Sequence, residues 1–253
     1  MTPTPPETMD RLSPTRRPQR RVIMYQKWRS LLFLHWEVPA NALGGLIPPD
    51  LSLDLYDGKA YVGLVPFTMR DVRPVGLPAV GWLSNFHETN VRTYVHHEGR
   101  DPGVWFFSLE AANSVAVVLA RTLFSLPYHR AEMSLERTED GAIRYASTRR
   151  WPGPTPATSE IRAVPTGEAS PARPGTLEHF LLERYLLYAV RRGRLHRGQV
   201  HHTPYPVQSA EVHCVDETLL AALGVARPPV SPIAHYAEGV DVEIFPIEPV
   251  PRP

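Results

Sequence analysis

The chain has 253 residues, 43% apolar and 21% charged, the composition of a globular protein with a core of its own rather than of a disordered or fibrous one. Its net charge of +1 gives no electrostatic basis for binding nucleic acid or an anionic membrane surface. Cys214 is the only cysteine, which excludes an intrachain disulfide and suits a reducing compartment. No apolar run exceeds Val115 to Ala120, so neither a signal-peptide core nor a membrane span is expected, and the location expected is cytoplasmic.

Residues 1–21 are rich in proline and arginine and are expected to form a disordered tail before a single domain over 22–247, with a Pro-rich tail at 248–253. Residues 30–38 alternate as a strand, Pro39 opens a short helix to Leu46, and Pro48-Pro49 stops it. Residues 51–56 and 59–67 predict a hairpin about Asp57-Gly58, and 70–83 a loop. Residues 87–95 are rich in β-branched side chains and predict a strand, with 104–108 as its antiparallel partner. Residues 109–125 are apolar nearly all round, the pattern of a buried helix. Strands are expected at 131–137, 143–148 and 159–164, then a loop over 165–175 and a helix from Leu177 to about Arg191 capped by Thr176. Strands at 195–202 and 207–214, a short helix from Glu217 to Gly224 and a strand at 240–245 complete the chain. The fold class expected is α+β, mainly β.

Successive side chains of a strand point to opposite faces, so Glu88, Asn90, Arg92 and Tyr94 share one. An acid, an amide, a fixed cation and a phenol then lie along about 20 Å. A solvated outer face would hold such residues too, but the opposite face (His87, Thr89, Val91, Thr93, Val95) is no clearer core face. A strand polar on both sides suits a sheet that lines a pocket. Arg29, beside Trp28, is either an ordinary strand-end arginine or a second pocket cation. Tyr128-His129 after the predicted helix is either acid–base equipment or an aromatic turn packed on the sheet. His196, His201, His202 and His213 gather near Cys214, but adjacent strand residues face opposite ways and no HExxH or CxxC is present. Neither a metal nor a cofactor is expected.

The ordered pieces Trp28-Arg29-Ser30-Leu31-Leu32-Phe33, His35-Trp36-Glu37-Val38-Pro39, Leu46-Ile47-Pro48-Pro49-Asp50-Leu51, Val65-Pro66-Phe67, Glu88-Thr89-Asn90-Val91-Arg92-Thr93-Tyr94-Val95, Leu126-Pro127-Tyr128 and Gly175-Thr176-Leu177-Glu178 resemble the YqjF-like family, a domain of unknown function, over about residues 22–247. That family is similar to acetoacetate decarboxylase, and the resemblance implies a β-cone around an internal pocket. It places Arg29 at the arginine that opens the decarboxylase's first strand and Glu88 at its pocket glutamate. Where the decarboxylase has a proline followed by two lysines, the first forming an imine and the second lowering its pKa, this chain reads Pro127-Tyr128-His129. Lysines occur only at 27, next to the tail, and at 59, in the hairpin turn, so the imine mechanism is not expected to carry over.

These observations lead to a pocket that holds a small anionic molecule, an oxo-acid or other carboxylate, through Arg29, Asn90, Arg92 and Tyr94, since guanidinium groups pair with oxyanions. The alternative is an enzyme of lyase or hydratase type in which Glu88, Tyr128 and His129 do acid–base work on an oxo-acid or enol. Arg29 and Glu88 are expected to project into one cavity with Tyr128 or His129. Neither nucleic acid nor membrane is an expected partner, and nothing in the sequence argues against a homo-oligomer.

Overall fold

The computed structural model describes residues 9–251. In chain order it contains β1 (Met24–Val38), α1 (Ala40–Gly44), β2 (Ser52–Leu53), β3 (Ala60–Pro74), α2 (Gly81–Ser84), β4 (Phe86–His97), β5 (Arg100–Ala111), α3 (Ser114–Leu123), β6 (Tyr128–Arg137), β7 (Ile143–Trp151) and β8 (Thr158–Pro171). There follow α4 (Leu177–Leu182), β9 (Leu186–Arg191), β10 (Arg194–His201), β11 (Pro206–Glu217), β12 (Ile233–Ile244) and β13 (Glu248–Pro249).

All thirteen strands belong to one sheet, ordered β13-β10-β9-β5-β6-β7-β8-β11-β12-β1-β3-β4-β2, and two further pairings, β4 with β5 and β10 with β12, close it on itself. Strands β12, β1, β3, β4 and β5 are thus common to two closed circuits, one completed by β9 and β10 and the other by β6, β7, β8 and β11. Each shared strand has a core on both faces. On β1, Leu31 and Phe33 face the first core, while Leu32, Leu34 and Trp36 face the second. That explains why residues 30–38 are apolar almost without a break, as strands covered on both sides are.

A bulge sets the facing of β1. Ser30 sits at φ 51°, and the register with β3 slips by one residue between Arg29↔Thr68 and Leu34↔Leu64. One inserted residue reverses the alternation, so Trp28 and Leu31 point to the same side although three positions apart.

The structure departs from sequence expectation in several places. Asp57-Gly58 does turn the chain, both residues having positive φ, but only an isolated Tyr56↔Lys59 bridge flanks it, and β2 pairs with β4 instead. β3 runs through the expected loop to Pro74, because its partner β1 continues back to Met24; β8 likewise runs on to Pro171 opposite β11. The helix expected over 109–125 shrinks to α3, the first three residues belonging to β5, and its outer face leaves Val115, Val118 and Leu119 exposed instead of buried. The helix expected over 177–191 stops at Leu182 and becomes β9, where Leu186 and Tyr188 are buried at strand spacing. The helix expected from Glu217 is a single 3₁₀ turn, Ala221–Leu223, ended by left-handed Gly224. Residues 1–8 of the expected tail lie outside the described residues. Residues 9–21 are held against the sheet: Arg11 pairs with Asp54, Arg17 Nε donates to Glu243 at 2.5 Å, and Gln199 Nε2 donates to the Pro14 carbonyl at 3.1 Å. At the other end, β13 adds to β10. Among the described residues, no helix is long and apolar enough to cross a membrane.

Candidate functional site

Inside the circuit completed by β9 and β10 lies a cavity of about 330 Å³, mostly apolar. Its polar wall is β4, whose period of two turns Glu88, Asn90 and Arg92 inward, opposite Phe67, Val65 and Gly63 of β3. Tyr128 joins them because β6 starts alongside β5, Tyr128 beside Leu109, while Leu109 also faces Asn90.

Tyr128 Oη donates to Glu88 Oε2 at 2.8 Å, and among the described residues this is the only side-chain partner of the Glu88 carboxyl. Burial pushes the Glu88 pKa up to about 8, outweighing the Tyr128 hydrogen bond, with the Glu110 carboxylate adding to the rise. Glu88 is therefore mostly a neutral acid at pH 7. Burial, and Glu88 itself, raise the Tyr128 phenol well above its ordinary value.

Arg92 is 8% exposed. Gly63 opposite it leaves room: a Cβ there would meet the His35 ring at 3.1 Å and Arg92 Cγ at 3.4 Å. The guanidinium lies 5.7 Å from the centre of the Phe33 ring and donates through Nη2 to the Leu181 carbonyl at 3.2 Å. Its Nε has no partner, and neither has Asn90 Oδ1, though both are buried. No carboxylate among the described residues forms an ion pair with Arg92. Behind it, Tyr94 Oη donates to the Leu181 carbonyl at 2.7 Å. The His35 ring, 2.7 Å away through Nε2, must then donate to Tyr94, which leaves Nδ1 bare. That neutral tautomer agrees with burial and the Arg92 charge holding the His35 pKa well below its ordinary value.

The structure brings Glu88, Asn90, Arg92 and Tyr128 to the cavity but separates three other residues expected there. Arg29 is on the far side of β1: it donates through Nη1 to the Val240 carbonyl at 2.7 Å and pairs through Nη2 with Asp241 at 2.5 Å. The Ser30 bulge gives its expected place to Trp28. His129 follows Tyr128 on a strand and so faces away; its Nδ1–H donates to the Pro152 carbonyl at 2.8 Å, and burial pushes its pKa down to about 4. Tyr94 is on the predicted face, but Leu181 and His35 occupy its hydroxyl, and it does not line the cavity. Trp28 and Tyr205, both lining, were not anticipated: the bulge hides the first, and the second lies between prolines 204 and 206 with no periodic signal.

The remaining chemistry-bearing groups lie elsewhere. Lys27 Nζ donates to Asp71 at 2.6 Å and Lys59 Nζ to Glu37 at 2.8 Å, both on the outer surface. Of the histidines near Cys214, His202 stacks on Tyr185 at 4.4 Å, His201 faces Glu243, His213 lies by Glu211, and His196 Nδ1 meets its own strand's Arg194 carbonyl. Among the described residues, no three His, Cys, Asp or Glu side chains are grouped as a metal site would require.

Solved structures share this architecture at low identity. The enduracididine biosynthesis enzyme MppR complexed with pyruvate matches with a TM-score of 0.62 at 12% identity, over 91% of each chain. Acetoacetate decarboxylase from Legionella pneumophila matches with a TM-score of 0.60 at 13% identity, over 90% of this chain and 87% of its own. The fold is thus that of the acetoacetate decarboxylase-like proteins. The family model of DUF2071, an uncharacterized conserved protein, matches residues 25–241, and the chain belongs to that family. Within it, the uncharacterized protein YqjF of Bacillus subtilis (strain 168) is 38% identical over 225 residues, 89% of this chain and 91% of its own.

Proposed function

We propose that the cavity binds a small organic anion, a carboxylate or oxo-acid, with Arg92 as its counter-charge. The observation that carries this is the buried Arg92 guanidinium, with Nε unpartnered and no carboxylate paired to it among the described residues. A buried charge is costly unless it is paired, and an anion drawn from solvent would supply the missing partner. Glu88, on the same wall, does not supply the missing charge below pH 8 because its proton stays on. The free atom of Asn90 on the same wall is Oδ1, an acceptor that suits a hydroxyl or other donor of the ligand and not its oxyanion. That a protein of this fold, MppR, was solved with pyruvate supports a carboxylate as the kind of occupant. We place the protein in the cytoplasm, in keeping with its single exposed thiol at Cys214.

A second reading, in which the protein is an enzyme, rests on the Glu88–Tyr128 pair. A carboxyl with a pKa of about 8 and a phenol 2.8 Å away is suited to moving a proton beside a bound carbonyl at neutral pH. His129 has no part in it. Calorimetric titration with short carboxylates, pyruvate among them, tests binding, and Arg92→Met is expected to abolish it. Methionine fills the same space without the charge, so this variant should melt at or above the parent's temperature, because an uncompensated buried cation has been removed. An Arg92→Met protein that binds as before, or one that melts several degrees lower, refutes the counter-charge role. Exchange of carbonyl-adjacent hydrogens into deuterated water, lost in Glu88→Gln, distinguishes the enzyme from the binding protein.

A further inference from the structure

We infer that the ligand is an elongated amphipathic anion that enters head first, its oxyanion at Arg92, a second oxygen at Glu88 and Tyr128, and an apolar tail running outward. This rests on the anion-binding role proposed above and adds the shape of what is bound. Arg92 lies level with Gly63 of β3 and Glu88 level with Phe67, four residues along both strands. At roughly 3.3 Å per residue the two polar stations are about 13 Å apart along the strand. A molecule the size of pyruvate can reach one station but not both.

The cavity also continues well past Glu88. Beyond Phe67 it is lined by Met69, Val72 and Pro74 of β3, and β1 keeps pace, Trp28 level with Met69 and Met24 level with Pro74. A volume of about 330 Å³ drawn out over this length is a channel and not a chamber. Its polar groups are graded along it. The inner stretch carries the free polar atoms, the Arg92 Nε–H donor for an oxyanion and the Asn90 Oδ1 acceptor. The outer stretch is apolar apart from Gln26 and Gln199, which are already engaged, Gln26 Oε1 by Trp28 Nε1 at 2.8 Å and Gln199 Nε2 by the Pro14 carbonyl at 3.1 Å. A cationic, hydrogen-bonding inner end with an apolar outer stretch matches a chain carrying its charge at the leading end. A branched polar metabolite would desolvate groups there without partners.

The test measures affinity by calorimetry for unbranched carboxylates from acetate to tetradecanoate, for pyruvate, for ω-hydroxydecanoate and for decanol. Affinity is expected to rise with chain length by up to about fourfold per methylene, equivalent to roughly 0.8 kcal/mol each. Decanol, without the charge, should bind far more weakly than decanoate. ω-Hydroxydecanoate should gain over decanoate in the parent protein and not in Glu88→Gln. Met69→Trp, which narrows the channel beyond Glu88 but leaves the Arg92 end open, should end the gain at about the ten-carbon acid, whose extended length is that of the four-residue strand span between the stations, and keep acetate and pyruvate binding. Affinity that is flat with chain length yet lost in Arg92→Met overturns the elongated ligand and leaves the anion site standing. Failure of every carboxylate to bind, or binding indifferent to Arg92→Met, overturns both.

Discussion

Glu88 and Arg92 are four residues apart on one face of β4, and burial acts on them in opposite ways. The arginine cannot lose its proton, so it stays charged; the glutamate can gain one, and does. This makes folding stability depend on pH in a direction unusual for a carboxylate. The folded-state pKa of Glu88 is raised from 4.5 to about 8, so its share of stability is complete below pH 4.5. Between those values the unfolded chain releases the proton while the folded protein keeps it, and stability falls as pH rises, until the folded protein too ionises above 8. The loss across the window is on the order of 5 kcal/mol. Glu88→Gln, which cannot ionise, should flatten the decline. Denaturant titrations at pH 5, 7 and 9 check this, and a parent protein as stable at pH 9 as at pH 5 would show that Glu88 is ionised throughout.

The strands explain why part of this site was legible in the sequence and part was not. Period-two alternation over residues 87–95 was enough to put Glu88, Asn90 and Arg92 on one face, since β4 has no bulge of its own between them. The same rule failed for Arg29 because it cannot detect a residue inserted into the ladder, and Ser30 is such a residue. It would have separated Tyr128 from His129 had β6 been extended to begin at Tyr128, where the parallel pairing with β5 starts. Pairing partners lay beyond local pattern altogether. Residues 186–191 carry apolar side chains that fit a helix or a strand, and only the place beside β5 decides for β9. That junction leaves no slack. A Cβ on Gly103 would lie 2.7 Å from the Leu186 carbonyl oxygen, a contact that backbone must move to relieve. Gly103→Ala is therefore expected to destabilise by about 1–3 kcal/mol, as overpacking does. A midpoint in urea unchanged from the parent's would mean that β9 can shift away freely.

For the molecule as a whole, the two closed circuits decide which side chains can do chemistry. Side chains on one face of the five shared strands turn toward the cavity and the first core; those on the other face meet the second core or solvent. Both lysines fall outside: Lys27 shares the outward face of β1 with Arg29 and pairs with Asp71, and Lys59 pairs with Glu37 in the turn before β3. An amine held in an ion pair on the outer surface is out of reach of a carbonyl in the cavity, unlike one desolvated in a pocket. The slot after Pro127 holds a phenol and an imidazole, neither able to form an imine. The fold shared with acetoacetate decarboxylase thus surrounds a cavity that neither lysine lines. Incubation with acetoacetate or pyruvate followed by borohydride reduction should leave the mass of the protein unchanged at neutral pH. A stoichiometric adduct mapped to Lys27 or Lys59 would mean that one of these strand or turn segments can turn inward. The separation of the two faces by hydrogen-bonded closure would then not hold.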